Sequence, residues 1–347
     1  VPMGNVWNLI NIYKWENNMF DIVALGELLI DFTDSGFSPN GMKLFERNAG
    51  GAPGNMLVAA ARFGRSVAFL GKVGDDMHGR FLKEVLVSEG ICTDGMLLDP
   101  SVFTTLAFVS LDEFGERTFS FARKPGADTC LRQEELSVEL LHNCRVFHFG
   151  SISLTSDPVR SATLSALKTA KTAGAVISYD PNFRENLWPD TETARMMIRS
   201  VLQSVDFVKV SEEELEIVTG ETDAEKACVF LHKKGITCVV VTLGEKGAYI
   251  SLKGKGVCQS AGLNLGPIVD KTGAGDAFWG TFIAEFTEEK IPLSKLKLDD
   301  VRRYADCANI AAALSITRRG GIPSMPRREE IVGTILQMKG NKRLYEA

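Results

Sequence analysis

The chain has 347 residues, 45% of them hydrophobic and 24% charged, with a formal net charge of −5. That length and balance suit one large α/β domain of an ordinary globular protein. The negative charge argues against nucleic acid or an anionic membrane as the main partner. No apolar run is long enough to span a bilayer, and seven scattered cysteines without a Cys-x-x-Cys pair fit a reducing cytoplasm better than a disulfide framework.

In chain order, residues 1–18 carry two tryptophans, several asparagines and no clear period, and read as a leader outside the fold. The apolar run Phe20–Thr33 reads as one buried strand bringing Asp31 to its end. Pro53–Phe63 reads as a helix, with proline near its start and Gly64 after it. A strand over Ser66–Val73 and a helix over Met77–Ser88 follow. The β-rich runs Phe103–Leu111 and Arg117–Ala122 flank a hairpin signal at residues 112–116. With the irregular stretch Asp34–Asn48 they predict a small β-lid, built from parts of 32–48 and 100–124. Alternation then resumes through strands at Arg145–Gly150, Ala175–Asp180, Asp206–Val210 and Cys238–Thr242, with helices at Pro158–Ala173 and Thr191–Gln203. A helix follows Asp276, another covers Asp299–Thr317, and 331–347 reads as a C-terminal helix or tail. The pattern predicts a mostly parallel sheet with helices on both faces. Polar residues at the strand ends (Asp31, Asp180-Pro181-Asn182, Ser211, Thr242-Leu243-Gly244) then mark the ligand edge.

Two segments carry chemistry. Asp270-Lys271-Thr272-Gly273-Ala274-Gly275-Asp276 runs straight into an apolar helix. Its glycines clear the approach to the free N–H groups of the first turn, an anion cradle. Asp276 beside that cradle is placed to take a proton from a hydroxyl attacking a bound phosphate. Alone, the segment is equally a tight turn with an acid favouring the helix dipole. It is neither a Walker A loop nor a dinucleotide fingerprint. The second segment is Asn48-Ala49-Gly50-Gly51-Ala52-Pro53-Gly54-Asn55, where paired glycines admit a ligand to the backbone. Asn55 offers donor and acceptor, and Asp31 a further acceptor, for a polyol.

Taken together and in this order, Gly50–Asn55, Asp180–Arg184, Thr242–Gly244 and Thr272–Asp276 resemble the ribokinase-like (PfkB) carbohydrate kinases, from Phe20 to Pro326. Within that family the chain looks most like the fructokinases. That narrower likeness rests on Gly26–Asp31, Arg123–Asp128, Phe149–Leu154 and Asp180–Trp188. The resemblance implies a ribokinase-like three-layer α/β/α domain over 20–330 with a β-sheet lid, and ATP-dependent transfer to a primary hydroxyl, D-fructose first. 2-Keto-3-deoxygluconate, another ketose or a nucleoside are the alternatives, and a non-catalytic sugar sensor is the rival from another class. It implies Asp276 as base and Gly273, Ala274 and Gly275 as anion hole. Asp31, Gly50, Gly51, Asn55 and Arg123 are implied on the sugar, and Ser211, Thr242, Gly244, Gly247, Gly275, Asn309 and Arg184 on the nucleotide side. Glu214 is implied for Mg2+, through water. Asp270, Thr272, Ser315, Arg318, Gly320 and Ser324 are implied for a monovalent cation, K+, through carbonyls. Lys271 and Ser211 depart from the family pattern, and a homodimer through the lid is a further expectation.

Overall fold

The structure, a computed structural model, describes residues 19–111 and 117–345. Two sheets organise these residues. The larger has nine strands: β1 (Phe20–Leu25), β4 (Val67–Gly74), β5 (Cys92–Asp99), β8 (Cys144–Gly150), β9 (Val176–Asp180), β10 (Phe207–Ser211), β11 (Cys238–Thr242), β12 (Gly247–Leu252) and β13 (Gly256–Ala261). Their order is β13-β12-β11-β10-β9-β8-β1-β4-β5. Pairing is parallel from β5 through β11 and antiparallel for β12 and β13. The smaller sheet, ordered β3-β2-β6-β7, contains β2 (Leu29–Phe37), β3 (Lys43–Gly50), β6 (Leu106–Leu111) and β7 (Arg117–Ala122). It pairs antiparallel except at β2–β6. The hairpin signal at 112–116 and the stretch 1–18 lie outside the described residues.

Both faces of the large sheet are apolar, as a sheet buried by helices on each side requires. Successive strand residues point to opposite faces, and the two cores divide accordingly. Ile22, Ala24, Cys238 and Val240 join one core, with helices α1 (Ala52–Arg62), α2 (Met77–Ser88), α8 (Ala274–Glu289) and α9 (Leu298–Ser315). Val23, Leu25, Val239 and Val241 join the other. That face carries α3 (Val138–His142), α4 (Val159–Thr172), α5 (Thr191–Ser200), α6 (Leu215–Thr219) and α7 (Ala224–Lys233). A last helix, α10 (Arg328–Tyr345), buries Ile331 against the first core.

The run Phe20–Thr33 is two strands in two sheets, not one. The chain leaves the large sheet at Leu25, turns through Gly26-Glu27-Leu28 and enters the small sheet at Leu29. A Cβ on Gly26 would sit 2.6 Å from Pro53 Cγ, so the turn is packed tightly under the start of α1. Continuous hydrophobicity hid the break, because both strands are buried where they leave the turn. Asp31 therefore belongs to the small sheet. Asp180, Ser211 and Thr242 do lie at the ends of parallel strands, with Ser211 opposite Thr242 and Gly150 opposite Asp180.

Among the described residues no helix is long and apolar enough to cross a membrane.

Candidate active site

Helix α8 is held by its own apolar residues. Trp279 and Phe282 are fully buried, and Phe207 of β10 meets Phe282 and Phe286 edge-on. Trp279 Nε1 donates to Ser178 Oγ of β9 at 2.9 Å, satisfying the indole where it is buried. At Gly280 the helix comes close to α1, for a Cβ there would lie 2.4 Å from Met56 O. This contact sets Asn55 of α1 beside Asp276 of α8.

Gly273 precedes the helix with φ +77°, the left-handed conformation that glycine adopts without strain. The helical ladder starts with Ala277 N donating to Gly273 O at 2.8 Å. The amides of Gly275 and Asp276 thus precede the first helical bond, and the Ala274 amide makes only a long turn bond, 3.3 Å to Lys271 O. Asp276 is buried, accepting from Asn55 Nδ2 at 2.8 Å and from Asn182 Nδ2 at 3.4 Å. Burial pushes its carboxyl up to about 6, while Lys209 and the Asn55 hydrogen bond pull the other way.

A cavity of about 270 Å³ opens in front of this turn. Its walls bring Asp31, Gly51, Asn55 and Arg184 together with the whole Lys271–Asp276 segment. Burial pushes the Asp31 carboxyl up to about 7; Arg184 opposes this, and Asp270 and Asp276 reinforce it. Gly50 backs that carboxylate, since a Cβ there would fall 2.1 Å from Asp31 Oδ2. Gly51 has φ +109° and no room for a side chain against Glu27 O.

Arg123 is not on the cavity wall. Its guanidinium is buried, donating to Asp128 Oδ2 at 2.8 Å, Thr155 Oγ1 at 3.2 Å and the Ile152 carbonyl at 3.2 Å. It shapes the wall through Ile152, which does line the cavity.

The Ser211, Thr242, Gly244, Gly247 and Asn309 set gathers away from the cavity, along the ends of β10 to β13. Asn309 Nδ2 donates to Ser260 Oγ at 2.8 Å and to the Ser260 and Ala261 carbonyls at 3.2 Å each. Gly247, φ +94°, packs on Ser260 O. Glu214 spends both oxygens on backbone donors, Phe183 N at 2.6 Å and Ser211 N at 2.9 Å. It ties the loop after β9 to the loop after β10, and burial with Asp180 nearby raises its carboxyl.

The candidate cation residues form a third group. Asp270 accepts from Thr272 N at 2.7 Å and Gly320 N at 3.1 Å, joining the loop before α8 to the loop after α9. Val269 N and Asp270 N both reach Ile316 O. Ser315 Oγ and Ser324 Oγ are turned onto nearby carbonyls, and Arg318 pairs with Glu330 of α10.

Among the polar residues of the cavity, Glu27 and Lys209 had no assigned role from sequence, and Asn182 was marked only as part of a strand end. Two of them carried a signal. Glu27 and Lys209 are charged residues inside otherwise apolar runs, the kind that is rarely buried without a task. Glu27 accepts from Ala52 N at 3.0 Å, and burial pushes it up to about 7.

First-turn amides, a buried carboxylate of raised pKa and further carboxyl and amide groups on one cavity are what phosphoryl transfer to an alcohol would call for. The sequence matches the pfkB family of carbohydrate kinases over residues 19–328. This chain belongs to that family and is a carbohydrate kinase. It is 42% identical to fructokinase-1 of Oryza sativa subsp. japonica, over 90% of this chain and 96% of the relative. Fructokinase-1 of Zea mays is also 42% identical, over 90% and 97%. Among solved structures, the fructokinase of Xylella fastidiosa with bound ATP superposes with a TM-score of 0.83 at 31% identity, covering 92% of this chain and 99% of that one. The fructokinase of Vibrio cholerae O395 in its fructose, ADP and calcium ion bound form gives 0.81 at 31% identity, covering 90% and 98%. The ribokinase-like fold with its small second sheet is thereby established.

Proposed function

We propose that this kinase transfers the γ-phosphoryl group of ATP to the 6-hydroxyl of D-fructose. The observation that carries the reading is Asp276 buried on the first turn of α8, directly after Gly273-Ala274-Gly275, in one cavity with Asp31 and Asn55. The sugar comes from the relatives, which are fructokinases in name at 40–42% identity.

In this reading Asp276 removes the hydroxyl proton as the oxygen attacks in line, and the Gly273, Ala274 and Gly275 segment faces the charge on the moving phosphoryl group. Asp31, Gly50, Gly51 and Asn55 hold the sugar hydroxyls, while Arg123 supports that wall from behind. ATP lies along Arg184, Ser211, Thr242, Gly244, Gly247 and Asn309. Mg2+ would neutralise the phosphates, with Glu214 reaching it through water. K+ would sit among the carbonyls of Asp270, Thr272, Ser315, Arg318, Gly320 and Ser324, ordering the loop before α8. Residues 20–330 are the kinase domain and the small sheet its lid, closing to keep water from the phosphoryl group. That sheet and the turn between β2 and β3 expose Phe37, Met42, Leu44 and Phe45, apolar surface that a second copy of the chain would cover. The seven free cysteines suit a cytoplasmic enzyme.

The test is coupled ADP-release kinetics with fructose, ribose, 2-keto-3-deoxygluconate, glucose, tagatose and adenosine, with and without K+. A preference for fructose in kcat/KM supports the reading. Preference for another sugar replaces the substrate, and sugar binding without turnover on any of them replaces the enzyme with a sensor.

A further inference from the structure

Strand β10 reads Phe207-Val208-Lys209-Val210-Ser211, and Lys209 interrupts an apolar, buried strand. The lysine is 5% exposed. A buried ammonium is costly unless paired, and a pair that serves packing alone is often replaceable by apolar residues without loss. Its partner is the Asp180 carboxylate of the neighbouring strand β9. An ammonium has three donors. One goes to Asp180, no further partner is found among the described residues, and the side chain lines the cavity.

The head of Lys209 lies against the N-terminus of α8. Its Nζ is 3.0 Å from where a Cβ on Gly275 would sit, so glycine at 275 leaves nothing between the ammonium and the first-turn amides. The surroundings are otherwise acidic. Asp180, Glu214 and Asp276 all act on Lys209. A polyphosphate entering this cavity meets the carboxylates of Glu27, Asp31 and Asp276 and the cations of Arg184, Lys271 and Lys209, and of these cations Lys209 is the buried one.

We propose that Lys209 is a catalytic residue whose ammonium binds a peripheral oxygen of the transferring phosphoryl group, beside the amides of the Gly273–Gly275 turn, with Asp180 as its positioning residue. This rests on the phosphotransfer reading above. In the step, Asp276 takes the hydroxyl proton and the hydroxyl oxygen bonds to the γ-phosphorus. The bond from that phosphorus to the β–γ bridging oxygen breaks, and its electron pair leaves with ADP. Lys209 gives up no proton. It offsets charge that grows on the equatorial oxygens, which is where fixed charge accelerates such a transfer.

The experiment compares wild type, Asp276→Asn, Lys209→Met and the double variant Lys209→Met/Asp180→Asn, which removes both charges together. Turnover, sugar KM, thermal melting, and binding of ADP alone or of ADP with aluminium fluoride and sugar are measured. A wild type that phosphorylates no sugar, or an active Asp276→Asn, sinks the phosphotransfer reading itself. With that reading intact, the double variant should melt near wild type and keep its sugar KM and ADP binding. Its kcat should fall roughly 100-fold to 1,000-fold, with loss of the tight aluminium fluoride complex. A double variant within about threefold of wild-type kcat would show the pair to be structural. So would failure of both Lys209 variants to fold, and either result overturns the proposal.

Discussion

Asn55 and Asp276, 221 positions apart in sequence, share a 2.8 Å hydrogen bond from the Asn55 amide to the Asp276 carboxylate. The bond fixes one carboxylate oxygen of Asp276, the proposed base, and leaves Asn182 near the other. It also stabilises the charged form of a group that burial disfavours.

The pH profile should show this balance. With Asp31 near 7 and Asp276 near 6 on one cavity, kcat/KM for the sugar should fall as pH drops through about 7 and then about 6, with more than one proton taken up. Lys209, Asp180 and Arg184 act on Asp276 most strongly, and Asp31 is a further charge coupled to it. Asn55→Asp replaces the donor by a second carboxylate, so the acid limb should move up by about one unit or more. Asp276→Asn should lose about 10³-fold in kcat while still binding sugar. An Asn55→Asp limb at the wild-type position would remove Asn55 from the electrostatics of the base.

Gly280 carries the same relationship at the level of packing. An alanine methyl there would meet Met56 O at 2.4 Å and Ala59 Cβ at 2.8 Å, pushing α1 from α8. Gly280→Ala should cost about 1–3 kcal/mol of stability, as overpacking does. It should also lower kcat, although Gly280 does not line the cavity. Differential scanning calorimetry with steady-state kinetics would check both; a destabilised variant with wild-type kcat would uncouple the helix spacing from the site.

The sequence was readable where periodicity and glycine chemistry act locally. Met77–Ser88 and Cys238–Thr242 form the elements the pattern predicts, at the predicted limits. The Gly273–Asp276 turn opens its helix as its composition requires. It was unreadable where one apolar run serves two sheets, as at Leu25–Leu29, because hydrophobicity reports burial and not the partner strand. Strands β5, β12 and β13 escaped for a related reason: short, mixed segments such as Gly256–Ala261 are set by pairing, not by their own period. Arg123 shows the limit for single residues. Its type suits a substrate contact, but Asp128 five residues on takes the guanidinium, and no spacing rule announces that.

Asp31 makes a prediction about stability. Burial raises its carboxyl to about 7, above the unfolded value near 4. The folded state therefore holds a proton that the unfolded state has released, and stability falls as pH rises from about 4 to about 7. Asp31→Asn removes this cost. Its melting temperature should match wild type near pH 4 and exceed it above about pH 7, the stability difference reaching up to about 4 kcal/mol, while sugar KM rises. A pH-independent difference between the two proteins would show that Asp31 does not titrate in that window.

Asp270 is the test of the loop before α8. Its two oxygens each accept a backbone N–H, from Thr272 at 2.7 Å and Gly320 at 3.1 Å, in a side chain only 5% exposed. Asparagine keeps one acceptor and turns an NH2 group on the other amide, leaving a buried donor facing a donor. The expected cost is about 1–3 kcal/mol, which loosens the link between the Asp270–Gly273 turn and the Gly320 loop. In the proposed K+ site that link would hold the carbonyls in register, so Asp270→Asn should raise the K+ concentration giving half-maximal activity. It should lower kcat more than it raises sugar KM, since Asp31 and Asn55 stand on other elements. Activity titrated with K+ at saturating fructose and ATP would check this. An unchanged K+ curve in a folded, less stable variant would separate the Asp270 stitch from the cation and leave it a purely structural bond.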